Sequence, residues 1–152
     1  MIVGQGGKTG QGQKEQPGVM NWVFHLSCRQ ANALLIRNDD IQYQHLVVSK
    51  VILFGRVTRI EKGNSPRGMP TIQARWTDST GSCRVDFYDR VGLEATLQSN
   101  CYLKASVTAK CGGLAYRPQL GLNGGSVTVV EDLNELTEHW LECMKTETRA
   151  LS

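Results

Sequence analysis

The segment from Leu46 to Ile60 constrains the fold of this chain more than any other. It reads Leu-Val-Val-Ser-Lys-Val-Ile-Leu-Phe-Gly-Arg-Val-Thr-Arg-Ile. β-branched and aromatic side chains of this density fit a pleated sheet. The run exceeds the roughly 5–6 residues of an ordinary strand, and a strand that long has to bend. Gly55 sits in its middle, and an interior glycine in a long strand marks a bulge or a barrel corner.

The segments that follow repeat the strand signal. Asn64-Ser65-Pro66-Arg67-Gly68 is a turn cluster, and Ser65-Pro66 in it reads as a plain turn in preference to a phosphorylation site. Thr71 to Trp76 alternates, with Ile72, Ala74 and Trp76 on the inward face. Asp78-Ser79-Thr80-Gly81 is a tight turn. Cys83 to Tyr88 then puts Val85 and Phe87 inward and Arg84, Asp86 and Tyr88 outward. Val91 to Gln98 reads as a short helix. Tyr102 to Lys110 alternates again, and Cys111-Gly112-Gly113 turns the chain. Ala115 to Leu120 and Ser126 to Val130 read as a last strand interrupted by Gly121-Leu122-Asn123-Gly124-Gly125. Five strands with a small helix between the third and fourth give an all-β chain: an OB-fold, the five-stranded Greek-key barrel, closed by a C-terminal amphipathic helix.

The flanks differ from this body. Residues 1–20 are Gly- and Gln-rich with little to bury, which predicts a disordered tail ahead of a barrel over 21–131. Trp22 to Leu35 mixes apolar and polar residues and reads as a cover on the core. The period changes in 132–152: Leu133, Leu136, Trp140 and Cys143 recur at helical spacing, Leu141 and Met144 widen the stripe, and Asp132 with Glu135 fits an N-terminal cap. The end is acidic, with Asp132, Glu135, Glu138, Glu142 and Glu147 against Lys145 and Arg149, although the whole chain carries a formal charge of +3. A basic body with an acidic end predicts two surfaces with different partners.

Several classes are excluded at this level. No run approaches the about 18 apolar residues of a membrane span, and no secretory h-region opens the sequence. The 5 cysteines are odd in number and scattered, which predicts reduced thiols. No Cys-x-x-Cys pair exists, and His25, His45 and His139 lie far apart, so no metal or other cofactor is expected. Gly6-Gly7-Lys8-Thr9 lacks the glycine and the buried strand of a phosphate-binding loop. No nucleophile-base or paired-carboxylate arrangement can be placed on the barrel. The expectation is a non-enzyme with no small-molecule substrate and no membrane.

Four stretches resemble one family. They are Leu46–Ile60, the acidic turn Thr77-Asp78-Ser79-Thr80-Gly81, the lead-in His25-Leu26-Ser27-Cys28, and above all Glu131-Asp132-Leu133-Asn134-Glu135-Leu136-Thr137-Glu138-His139-Trp140-Leu141-Glu142. Together, over about residues 24–145, they resemble the middle subunit of replication protein A. The resemblance implies a heterotrimer that holds single-stranded DNA in replication, repair and recombination in the nucleus. It also implies a C-terminal helix that bundles with one helix from each of the large and small OB-fold subunits. The middle subunit of the telomere-capping CST complex shares the same pattern, and a purely structural OB module is a further alternative. The tail departs from the family in holding Thr9 in place of a serine-rich stretch, and Gly121–Gly125 looks like an insertion in the last hairpin.

The candidate sites follow. Single strands lie on OB faces by stacking bases on aromatics and tracking phosphates with cations. Tyr88, Arg84 and Arg75 are the outward residues of the second and third strands, and Tyr88 falls where the resemblance implies a stacking aromatic. The alternative for Tyr88 is an ordinary surface residue. Lys110, Tyr116 and Arg117 flank the Gly112-Gly113 turn, near which the family keeps a second aromatic; Lys110 falls nearer that position than Tyr116, which would serve it from across the hairpin. Arg56, Arg59, Lys62 and Arg67 are further cations that singly read as solubilising. Leu133, Leu136, Trp140, Cys143 and Met144 are the expected partner interface, since an exposed stripe of this kind is a liability without a partner.

Overall fold

The computed structural model describes residues 23–114 and 117–152. The expected tail over 1–20 and Tyr116 lie outside the described residues. In chain order the elements are β1 (Val23–His25), α1 (Cys28–Asn32), β2 (Leu35–Arg37), β3 (Asp40–Tyr43), β4 (Leu46–Val47), β5 (Lys50–Asn64), β6 (Pro70–Asp78), β7 (Gly81–Tyr88), α2 (Leu93–Leu97), β8 (Leu103–Leu114), β9 (Arg117–Val129) and α3 (Leu133–Leu151).

Strands β5, β6, β7, β9 and β8 pair in that order, and β5 pairs again with β8, which closes the barrel. All neighbours are antiparallel except β7 and β9, whose parallel contact is the register pair Asp86 and Asn123. This is the OB arrangement. Leu53, Ile72, Trp76, Val85, Phe87, Leu103 and Val107 fill it, each at most 2% exposed. The short α2 adds the buried Leu93 and Leu97.

Gly55 is the corner. Up to Gly55, β5 pairs with β8, and from Arg56 onward it pairs with β6. A Cβ at Gly55 would lie 2.7 Å from Trp76 Nε1 and also strike the Thr77 carbonyl oxygen. Close backbone approach is what removes the side chain here. The expected long strand is divided, however. Leu46–Val47 belongs to a separate small sheet with β2 and β3, and β5 starts at Lys50 and runs on past Ile60. The turn between β2 and β3 holds Asn38 and Asp39 at φ 54° and 66°, the two positive values of a tight hairpin turn.

The glycine stretch after Leu120 does not interrupt the last strand. β9 is continuous from Arg117 to Val129, and its register against β8 slips between Ser106 and Val107. This bulge uses the glycines: a Cβ at Gly124 would overlap the Phe87 ring, so only glycine lets β9 come close enough to β7 to close the barrel.

The segment before the barrel packs as a cover, as expected. β1 runs parallel to β5. The helix α1 is capped by Ser27, whose side chain accepts from Gln30 N–H at 3.1 Å while Gln30 Oε1 accepts from Ser27 N–H at 2.9 Å. Its Cys28 lies with Sγ 3.7 Å from Cys83 Sγ, and both thiols are buried and unbridged.

Candidate nucleic-acid interface

The outward side chains of β5, β6 and β7 form rows across the sheet, because directly paired residues share a face. One row is Arg59, Arg75 and Arg84; the next is Glu61, Gln73 and Asp86; the third is Gly63, Thr71 and Tyr88. Tyr88 is 61% exposed. Its row neighbours, threonine and glycine, leave the ring open as a flat platform.

Arg84 is held by Asp86 through two bonds, Nε to Oδ1 at 2.8 Å and Nη2 to Oδ2 at 3.2 Å. Arg59 pairs with Glu61 at 2.7 Å. Both pairs are solvent-exposed, so each is worth at most about 1 kcal/mol.

Arg84 and Asp86 line a groove of about 740 Å³ with Lys110, Cys111, Gly112 and Asn123. The same Arg84, Asp86, Lys110 and Asn123 also line the adjoining depression, which holds Tyr88 and reaches Ser65 and Pro66 of the β5–β6 loop. The groove therefore crosses the barrel from the β5–β6 loop to the β8–β9 hairpin, between the loops where OB barrels take oligonucleotides.

Of the expected contacts, the structure brings Tyr88, Arg84 and Lys110 to this groove. Arg75 lies one strand away in the arginine row. Arg56 sits apart, its guanidinium 6.0 Å from the centre of the Tyr102 ring. Arg117 enters only as the first residue of β9. Asn32, Gln119 and Asn123, polar side chains at the groove, were missed by the sequence reading. Asn32 arrives from α1, whose docking onto β7 no local pattern announces.

The C-terminal helix corrects one interface expectation. Cys143 is not on the open side: it is 4% exposed and faces its own barrel, with His139, Thr146 and Ala150. The reason is the polar seat that β1 and α1 offer. His139 is fully buried, stacks on Phe54 at 4.3 Å, and its Nδ1 lies 2.8 Å from His25 Nδ1. Cys143 Sγ is 3.4 Å from His139 Nε2, and Thr146 Oγ1 donates to the His25 carbonyl at 3.3 Å. Gln30 Nε2 donates to the Cys143 carbonyl at 3.1 Å and to Glu147 at 3.0 Å, and Tyr43 OH also donates to Glu147. These donors, Tyr43 first, hold the Glu147 carboxyl below its usual range. Burial, then the neighbouring His25, pulls His139 down to about 3.

With that face committed, Leu133, Leu141, Met144 and Leu151 are left 77%, 51%, 64% and 74% exposed. Trp140 is half-buried and lines an opening with Met144, Tyr43 and Glu147, while Leu136 is also half-buried. Among the described residues no group of His, Cys, Asp and Glu is arranged to hold a metal ion, and no helix is long and apolar enough to cross a membrane.

The closing order and the cation-lined groove define an OB barrel with a docked terminal helix. Solved structures share that fold. A chain of a replication protein A heterotrimer bound to single-stranded DNA superposes with TM-score 0.65 at 17% identity, over 86% of this chain and 98% of that one. Yeast replication protein A bound to single-stranded DNA gives 0.61 at 16% identity, over 89% and 95%. The Stn1–Ten1 complex of S. pombe gives 0.60 at 12% identity, over 85% and 91%. No family model and no curated protein matches the sequence.

Proposed function

We propose that this chain is a non-catalytic OB subunit that binds single-stranded DNA within a heterotrimer like replication protein A, in the nucleus. The observation that carries the reading is the groove: an exposed Tyr88 beside Arg84 and Lys110, running between the β5–β6 loop and the β8–β9 hairpin. Tyr88 stacks a base, and Arg84 and Lys110 take phosphates. Affinity then falls with salt as counterions are released.

The open stripe Leu133, Trp140, Met144, with Leu136 at its margin, is the assembly handle for the large and small OB-fold subunits. Burying a large apolar side chain contributes roughly 1.5–3 kcal/mol, so a few such residues offset the cost of ordering a complex. A second reading, the middle subunit of a telomere-capping complex, is supported by the similar fit to Stn1–Ten1.

The test is affinity capture from native extract with the intact chain and with a Leu133→Glu/Met144→Glu variant, followed by mass spectrometry. Loss of one large and one small replication protein A subunit on substitution supports the proposal. Loss of telomere-capping subunits moves it to the second reading. Identical captures remove the helix as the handle.

A further inference from the structure

The arginine row is an arrangement that a sheet does not adopt for its own stability. Arg59, Arg75 and Arg84 stand directly opposite one another on β5, β6 and β7, and like charges in that relation destabilise a sheet. Strand spacing of about 4.8 Å puts the outer two backbones roughly 10 Å apart. Arg59 and Arg84 are each relieved by a carboxylate two residues along their own strand, Glu61 and Asp86. The central Arg75 is exposed and has no ion pair among the described residues. All three line one depression with Asn32, Glu61, Gln73 and Ser82, and it contains no aromatic side chain. Arg84 is shared with the groove. A planar guanidinium with five donors suits phosphate oxygens, and the polar side chains around it add hydrogen-bond donors.

Resting on the reading of the groove as a single-strand site, we propose that this row is a phosphate track. The strand turns out of the groove at Arg84 and crosses β6 and β5 with its backbone on Arg84, Arg75 and Arg59. Bases are read on the Tyr88 side; on the row only the phosphodiester backbone is held. Arg75 makes the least contested contact, because among the described residues no carboxylate is paired with it. Repulsion in the free protein is the cost of keeping the row ready.

The experiment uses the full chain and a fluorescein-labelled oligo(dT) longer than the roughly 16 nucleotides of the largest OB site. Dissociation constants are read by anisotropy between about 50 and 200 mM salt. Arg59→Gln and Arg75→Gln each lower the salt slope by about 0.7, so that the fourfold salt step weakens wild type about 2.6-fold more than either variant. Arg75→Lys restores the slope. Without DNA, Arg75→Gln melts at or above the wild-type midpoint, which a structural role for Arg75 would not produce. If both Gln variants keep the wild-type slope while Tyr88→Ala and Arg84→Gln lose affinity, the groove stands and the track is refuted. A lower melting midpoint for Arg75→Gln overturns the account of the row as a cost. If wild type binds no oligo(dT), track and groove both fail.

Discussion

Acid titration of stability tests the seat of the terminal helix. His139 is fully buried, with Nδ1 on His25, Nε2 against Cys143 and its ring on Phe54. Between two neutral imidazoles 2.8 Å apart there is room for one proton. A second proton sets two N–H groups face to face, so the folded chain resists it. His139 is held at about 3 in the folded state, against the 6.5 of an ordinary histidine. Unfolded chain therefore takes up a proton that folded chain refuses throughout that window. The stabilisation is complete above about pH 6.5 and is lost as pH falls toward 3. From those two values, His139 alone removes about 2 kcal/mol between pH 7.5 and 5. That is a sizeable share of the roughly 5–15 kcal/mol of a typical domain. The window lies above the carboxylate range, so Glu142 and Glu147, both lowered by hydrogen bonds, add their losses only at lower pH. His25 is also lowered, chiefly by burial, and contributes in the same direction. The assay is urea unfolding at closely spaced pH values and constant ionic strength, for wild type and His139→Phe. Phenylalanine keeps a ring on Phe54 and removes the titrating group. Stability of the variant should be flatter with pH above 5 by about the stated amount. An unchanged pH dependence in the variant, or a flat wild type, refutes the argument.

Three further outcomes are expected. Gly55→Ala destabilises the barrel by roughly 1–3 kcal/mol or more, measured by chemical denaturation, because its methyl group enters the space of Trp76 Nε1 and the Thr77 carbonyl. Tyr88→Ala weakens oligo(dT) binding by roughly 1–3 kcal/mol in an anisotropy titration and leaves the melting midpoint near wild type, since the ring is mostly exposed. Met144→Glu changes the stability of the isolated chain by no more than about 0.5 kcal/mol, yet abolishes capture of partner subunits.

The barrel was legible because its signals are local. Alternation in Thr71–Trp76 and Cys83–Tyr88, and the glycine at position 55, each follow from sheet geometry without reference to distant residues. Arg84 and Tyr88 are legible as outward positions of the second of those strands, and Lys110 as the end of the alternation in Tyr102–Lys110. The hairpin of β2 and β3 was missed: its strands are only three and four residues long, too short for a period to show. Cys143 was misplaced because helical spacing gives two adjacent stripes and does not say which one is docked. Here a polar seat made of His25, Gln30 and Tyr43 decided it, and all three come from residues more than 90 positions away. The glycine run reads as a break for a similar reason: what Gly124 answers to is the Phe87 ring on another strand.

The parallel contact between β7 and β9 rests on one register pair, Asp86 with Asn123. That pair lies in the floor of the groove, with Arg84 on one bank and Lys110 on the other. A ligand that touches both cations therefore bridges the barrel's narrowest seam from outside, as a clasp does. Binding and closure then share one free energy: a ligand that prefers the closed barrel suppresses its opening by mass action. Amide exchange along this seam should slow on loading with DNA by more than in β6, which is fastened along its whole length on both sides.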